Sequence, residues 1–199
     1  NSQPHLCKSQ QETNVLHLVS CLMIVFRAYH QQTHLLGKYI NIASRSAGFL
    51  VKRFEGCILD SAMAHPLLAT ITSSSNGIAE LFESREYAKA IRQIMELADL
   101  VNGFVDENKP WDLAKDLTRS AQLHEVCSVI LESFRCLSLY LKPVLPKLVS
   151  NVEAFLGVPA MQWQDIKTPL KSSSPIQPYK HLLTRVEQTQ LDELLKLNL

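Results

Sequence analysis

The chain has 199 residues, of which 46% are hydrophobic and 20% are charged, a composition typical of a globular protein with a sizeable core. This composition excludes a chain that is disordered throughout. Twenty basic and nineteen acidic residues leave a formal net charge of +1. Proteins that coat long stretches of nucleic-acid backbone carry more positive charge, so any contact with nucleic acid must be local.

The cysteines and the apolar runs favour a cytoplasmic protein. The five cysteines are scattered without a CxxC pair, as expected for reduced thiols packed as small hydrophobic side chains: Cys7, Cys21, Cys57, Cys127 and Cys136. The longest apolar run, 15–26, has about half the length of a membrane span, and no signal-peptide cleavage site follows it. The chain begins at Asn1 and not at Met, so we expect a fragment of a longer protein.

The first predicted helix covers residues 34–54 and has an apolar and a polar face. Apolar residues recur at steps of three and four: Leu36, Ile40, Ala43, Ala47, Leu50 and Phe54. A second set follows the same steps on another face: Asn41, Arg45, Gly48 and Lys52. This polar face is either arranged to bind a ligand by hydrogen bonds or is an ordinary solvated surface.

Charge singles out the same region. No acidic residue lies between Glu12 and Glu55, whereas five basic residues do: Arg27, Lys38, Arg45, Lys52 and Arg53. A basic stretch in a nearly neutral chain is where a polyanion would bind, although solvated helix faces have the same composition.

Further helices follow in chain order. One starts at Pro66, with a break predicted within 73–77. The next, capped by Ser84, has the clearest apolar stripe: Tyr87, Ile91, Ile94, Ala98, Val101 and Val105. It ends before Pro110, which is itself a favourable first residue for a short helix containing Trp111.

The last part of the chain holds two more predicted helices. Ser120 is predicted to cap a long one, which buries Leu123, Val126, Ile130, Phe134, Leu137 and Leu141. After the prolines of 142–146, an amphipathic segment runs to Gly157. No alternating strand pattern of useful length occurs, so we predict an all-α fold, an antiparallel helical bundle.

No pattern of catalytic or metal-binding residues is found. His30 and His34 lie one helical turn apart but have no third ligand, so we predict no metal site. Six scattered glycines form neither a GxGxxG nor a Walker loop. We therefore predict no catalytic residues.

Lys109-Pro110-Trp111 is the second feature that could bind a ligand. A tryptophan at this position is either part of the core or a partly exposed platform for a nucleobase. Single-stranded RNA loops are recognised by stacking together with hydrogen bonds from Arg and Asn. The chain has an aromatic residue, Trp111, and donors in Asn41 and Arg45, but helix periodicity does not show whether they lie close together in space.

Several motifs together resemble the anticodon-binding domain of bacterial-type methionyl-tRNA synthetases, a class I family. They are Asn41-Ile-Ala-Ser-Arg45-Ser-Ala-Gly-Phe49, Ser84-Arg-Glu-Tyr87, Asp106-Glu-Asn-Lys-Pro-Trp111-Asp-Leu-Ala-Lys115 and Tyr140-Leu-Lys-Pro-Val-Leu-Pro146. Trp163 and Pro178-Tyr-Lys-His-Leu-Leu-Thr-Arg185-Val-Glu187 are similar to the family's returning linker. The resemblance covers about 34–197. It divides the chain into a divergent segment 1–33, a helical bundle 34–157, and a Pro/Ser-rich linker with a C-terminal helix, 158–199.

The resemblance implies recognition of the CAU anticodon of methionine tRNAs. It implies that Trp111 stacks on the first anticodon base, a cytosine, and that Asn41 and Arg45 contact the anticodon bases. We expect Lys38, Lys52 and Arg53 to add weak phosphate attraction. The implied partners are the anticodon loop of tRNA(Met) and the catalytic domain of the enzyme, with no membrane or DNA contact.

The sequence departs from the family in ways that bear on activity. The catalytic signatures His-Ile-Gly-His and Lys-Met-Ser-Lys-Ser are absent, and so is the Rossmann domain. The chain alone is therefore predicted to be inactive and to hold no cofactor, because ATP and magnesium belong to the full-length enzyme. The family's optional C-terminal tRNA-binding barrel is also absent, so we expect a monomer. Residues 1–33 do not match, and Gly37 replaces a polar residue. Two alternatives stay open: the corresponding domain of another class I synthetase (valine, leucine or cysteine), or a helical protein-interaction module without RNA binding.

Overall fold

The structure, a computed structural model, describes residues 37–178. Within this range it is helical and has no strand, which confirms the predicted all-α fold. Its α-helices are α1 (37–53), α2 (Pro66–Ser73), α3 (Ser75–Glu83), α4 (Tyr87–Asn108), α5 (Pro110–Leu113), α6 (Ser120–Leu141) and α7 (Pro146–Leu156). Three 3-10 turns complete it: Asp60–Ala64, Leu117–Arg119 and Trp163–Lys167.

Some predictions concern residues outside this range. They are the unmatched segment 1–33, the histidine pair His30 and His34, Cys7 and Cys21, and the C-terminal helix at about 180–197. Among the described residues, no helix is long and apolar enough to cross a bilayer.

Helix α6 forms the centre of the bundle. Every residue of 126–141 is buried, and α2, α4, α5 and α7 all pack against this helix. Helix α1 runs antiparallel to it. Near one end the Tyr39 hydroxyl lies 2.5 Å from Ser138 Oγ, and near the other the rings of Phe54 and His124 stack at 4.0 Å. The predicted inward positions of α6 are all buried.

Helix α1 also packs beside α4, in the parallel direction. Lys38 Nζ lies 2.8 Å from an Asp99 carboxylate oxygen, and Arg45 Nη1 lies 3.0 Å from one of Asp106. Both pairs join residues 61 positions apart in the sequence, so the two helices advance together. One heptad separates the pairs on each helix, the spacing at which side chains return to the same face.

The apolar stripe of α4 is largely confirmed, but two predicted helix caps are wrong. Ile94, Ala98, Val101 and Val105 are fully buried, whereas Tyr87 and Ile91 are half-buried.

Ser84 is the C-cap of α3, and α4 starts only at Tyr87, because Arg85 takes a left-handed conformation (φ 61°) between the two helices. Ser120 lies inside α6, since the 3-10 turn before it leads straight into the helix. The predicted break at 73–77 is a single residue, Ser74.

The segment 158–178, predicted as part of a linker, packs against the bundle. Helix α7 ends at Gly157, whose φ of 67° suits a residue without a side chain. After it the chain packs back on the bundle and contributes buried apolar side chains to the core: Met161, Ile166, Leu170 and Ile176. The core therefore continues past the last helix.

Two ion pairs hold this segment by its main chain. Glu132 and Arg135, one turn apart on α6 and 3% and 2% exposed, lie 2.7 Å from each other. Arg135 also donates to the carbonyl oxygens of Asp165 and Ile166, and Glu132 accepts from the N–H of Leu170.

The second ion pair joins Lys142 to Glu153 at 2.6 Å. Lys142 donates to the carbonyl oxygen of Met161, and Glu153 accepts from the N–H of the same residue. Buried charges persist when they are paired and fully hydrogen-bonded, and here the main chain of the segment supplies the remaining partners.

Candidate nucleic-acid interface

The polar face of α1 is present as predicted. Asn41, Gly48 and Lys52 are exposed and Arg45 is half-buried, whereas Ala43, Ala47 and Leu50 on the opposite face are fully buried. The buried stripe fixes the rotation of α1, so the polar side chains must face outward. Asn41 and Arg45 lie one helical turn apart on this face.

A sharp turn between α4 and α5 carries Trp111. Lys109 has a left-handed backbone (φ 43°); its N–H donates to Val105, and its carbonyl accepts from the N–H groups of Asp112 and Leu113. Non-glycine residues rarely adopt this conformation, which costs about 1 kcal/mol and persists only where the surroundings enforce it. Lys109 is therefore the only residue between the two helices: it ends α4, and α5 starts at Pro110.

Helix α5 turns one side inward and the other to solvent. Pro110 and Leu113 are buried, whereas 38% of the Trp111 surface is exposed. The Asp112 carboxylate accepts a hydrogen bond of 2.7 Å from Lys115 in the following turn, which lowers the pKa of that carboxyl. Trp111 is thus held at the surface by a short helix whose other apolar residues lie in the core.

The structure brings Arg45 and Trp111 together. The guanidinium carbon of Arg45 lies 5.8 Å from the centroid of the indole ring, within the range of a cation–π contact. Arg45 also donates a hydrogen bond to the carboxylate of Asp106, near the C-terminal end of α4. Helix α1 and the turn are far apart in sequence, so this cluster of guanidinium, carboxylate and exposed indole is a property of the fold.

Asp106 is a neighbour of the site that sequence reasoning missed as a functional residue. It opens the motif that contains Trp111, but neither charge nor periodicity pairs it with Arg45. Its side chain is 64% exposed, so its contact with Arg45 is open to water and contributes little to stability. The contact places the guanidinium of Arg45 between the Asp106 carboxylate and the indole of Trp111.

The three predicted phosphate contacts differ in their surroundings. Lys38 is paired with Asp99, and Arg53 donates to the carbonyl oxygen of Ala114 at 2.5 Å. Lys52 is exposed, and no ion pair or side-chain hydrogen bond joins it to any residue of 37–178. Lys52 is therefore the one of the three whose ammonium has no competing partner in the described part of the chain.

The described residues contain no group of three or more His, Cys, Asp or Glu side chains arranged to hold a metal. The free cysteines Cys127 and Cys136 are buried, and burial raises the pKa of each thiol to about 12.

Solved structures of a methionyl-tRNA synthetase share this fold. The methionyl-tRNA synthetase of Mycobacterium tuberculosis in complex with methionyl-adenylate superposes with a TM-score of 0.71 over 82% of this chain and 33% of that chain, at 22% identity. The apo form of the same enzyme gives a TM-score of 0.69 over 78% of this chain. This chain thus shares its fold with about a third of that enzyme.

The sequence relatives of the chain are methionine–tRNA ligases. The chain is 56% identical over 164 residues to the methionine–tRNA ligase of Ralstonia nicotianae, and 57% identical over 164 residues to that of Paraburkholderia xenovorans. No family model matches the chain. The matched region is 82% of this chain and about a quarter of each relative, 24% and 23% respectively. Over this region the chain is homologous to the methionyl-tRNA synthetases.

Proposed function

We propose that this chain is the anticodon-binding part of a methionine–tRNA ligase and that it recognises the CAU anticodon. The observation that carries the proposal is the cluster at the α4–α5 turn, where an exposed indole lies 5.8 Å from a guanidinium. An aromatic face beside directed hydrogen-bond donors is what recognition of an unstacked base requires. Relatives named methionine–tRNA ligase support methionine over the other class I amino acids.

In this proposal each residue has a separate role. Trp111 stacks on the first anticodon base, which contributes about 1–3 kcal/mol per base. Arg45 and Asn41 donate and accept hydrogen bonds at the base edges. Lys38, Lys52 and Arg53 are the phosphate contacts expected from sequence, and Lys52, which has no ion pair or side-chain hydrogen bond within 37–178, is the best supported of them.

The activity of the whole ligase extends beyond this chain. We propose that the complete protein is cytoplasmic and attaches methionine to tRNA(Met) with ATP and magnesium. The catalytic domain is then a partner of the bundle, because the sequence of this chain has neither of the family's catalytic signatures. Added alone to ATP and methionine, the chain should form no methionyl-adenylate.

Fluorescence of Trp111 tests the proposal. An RNA hairpin with CAU in its loop should quench this fluorescence, because the stacked base contacts the indole directly, and a hairpin with UAU should quench it less at equal concentration. Trp163, which lies 5.5 Å from the ring of Tyr140, is the background emitter, so Trp163→Phe isolates the signal.

Trp111→Ala is the matching variant. It should bind the CAU hairpin more weakly and retain the helical circular dichroism of the wild type, because Trp111 is partly exposed. Loss of helix in this variant would place Trp111 in the core. Equal, weak binding of both hairpins by the folded wild-type chain would instead favour a helical interaction module without RNA recognition.

A further inference from the structure

A hydrogen bond between α1 and α5 has no role in the function proposed so far. Arg53, in the last turn of α1, donates to the carbonyl oxygen of Ala114, the C-cap of α5. No N–H group of 37–178 donates to this oxygen. Carbonyl groups at the end of a helix lack donors within the helix, and cationic side chains satisfy them well.

This bond continues the series that joins α1 to α4. Lys38 with Asp99, Arg45 with Asp106, and Arg53 with Ala114 each join residues 61 positions apart. The first two contacts lie on α4, before the left-handed turn at Lys109, and the third lies after it. Helix α1 therefore holds both sides of the turn that carries Trp111.

Helix α5 depends on such contacts for its position. It has four residues, far fewer than a helix needs to be stable alone. The backbone that enters it, at Lys109, is in an unfavourable conformation. Pro110 and Leu113 fix its inner side, and the bond from Arg53 fixes its C-terminal end.

We propose that Arg53 is a positioning residue for Trp111. It holds the end of α5 against α1 and so sets the indole relative to the Arg45 guanidinium on the same helix. Its effect on base recognition rests on the function proposed above, but its effect on the indole is a property of the free protein. This role differs from the phosphate contact predicted for Arg53 from sequence.

Acrylamide quenching of Trp111 tests the positioning role without RNA. In the Trp163→Phe background, Arg53→Gln should raise the quenching constant toward that of a freely exposed indole, because the end of α5 is released. The matched control is Lys52→Gln, which removes the same charge from the neighbouring residue of α1. It should leave the quenching constant at the wild-type value, since no hydrogen bond or ion pair joins Lys52 to α5.

Titration with hairpins over a range of salt concentrations tests the consequence for recognition. Arg53→Gln should lower the preference for CAU over UAU about three- to tenfold, the effect of losing one partly exposed hydrogen bond. The slope of log K against log salt should stay at the wild-type value. Lys52→Gln should do the opposite, with an unchanged preference and a slope smaller by about one.

The outcomes separate the two proposals. If Arg53→Gln behaves like Lys52→Gln in both quenching and salt dependence, Arg53 is a phosphate contact and the positioning role is overturned. If the wild-type chain does not distinguish CAU from UAU, the anticodon function fails, and the quenching constants still decide whether Arg53 positions Trp111. Circular dichroism and the melting temperature confirm that both variants are folded.

Discussion

The exposed indole of Trp111 owes its position to other residues of α5 and to the residue that precedes this helix. Pro110 and Leu113 are buried on the inner side of α5, and the left-handed backbone of Lys109 turns the helix so that position 111 faces solvent. A large aromatic side chain kept 38% exposed gives up part of the stabilisation that burial would provide. In the function proposed above, the exposed face of the indole is the surface on which a base stacks.

Arg45→Ala should reduce discrimination between anticodons. We expect the free-energy difference between binding of the cognate CAU hairpin and of hairpins with an altered anticodon to fall by about 1–3 kcal/mol, the usual effect of losing an arginine that reads a base. Competition binding of the two kinds of hairpin measures this difference.

Arg45→Lys is the control, because it retains the charge and loses the planar guanidinium. If Arg45→Ala weakens binding equally for every hairpin, Arg45 contacts phosphate.

The cysteines should differ in reactivity. The thiolate is the reactive form, and burial raises the pKa of Cys127 and Cys136 to about 12, so both thiols should be inert at neutral pH. Cys57 is partly exposed and should be alkylated in the folded protein.

Peptide mass mapping after brief iodoacetamide treatment, with and without urea, measures how far each cysteine is alkylated. Modification of Cys136 at the rate of Cys57 in the folded chain would contradict the burial of α6.

Among the elements, α6 departs furthest from what its sequence suggests. Its apolar spacing predicts the inward positions correctly, but Glu132 and Arg135, three residues apart, look like an ordinary pair on a solvated helix face. They are buried because the segment after Gly157 returns over this face and bonds them through its main chain. Helix periodicity contains no information about such a return, so the sequence could not predict it.

Glu132→Ala should destabilise the chain strongly. It leaves the guanidinium of Arg135 buried without a counter-charge and removes the acceptor of the Leu170 N–H, and breaking a buried ion pair costs about 3–5 kcal/mol. The midpoint of urea unfolding, followed by circular dichroism, reports this loss.

The double variant Glu132→Leu with Arg135→Met should recover much of the stability, because no unpaired charge then remains in the core. If Glu132→Ala is instead as stable as the wild type, water reaches the guanidinium of Arg135.

At the scale of the molecule, the bundle includes more of the chain than its helices. A chain that stops after Gly157 loses four buried apolar side chains and the main-chain partners of both ion pairs. We expect it to lose cooperative unfolding, whereas a chain that ends at residue 178 keeps every contact described above. Thermal melts of the two chains measure whether each unfolds cooperatively. A cooperative transition in the shorter chain would show that the helices suffice for a stable core.

The candidate site also forms only at this scale. Sequence motifs single out Asn41, Arg45 and Trp111, and helix periodicity places the first two on one polar face. The 5.8 Å contact between Arg45 and Trp111 depends on the parallel packing of α1 beside α4 and on the turn at Lys109. The apolar pattern predicts neither the packing of α1 beside α4 nor the turn. Periodicity determines which face of a helix is buried and not which helix lies beside it.

The way in which the last segment is held has a consequence for how its sequence can change. Glu132, Arg135, Lys142 and Glu153 bond N–H and carbonyl groups at residues 161, 165, 166 and 170, groups that almost every amino acid carries. Substitution of an exposed residue such as Gln164 or Lys167 therefore leaves these bonds intact. We therefore expect the exposed positions of 162–169 to tolerate substitution, whereas the four charged residues and the buried Ile166 should not.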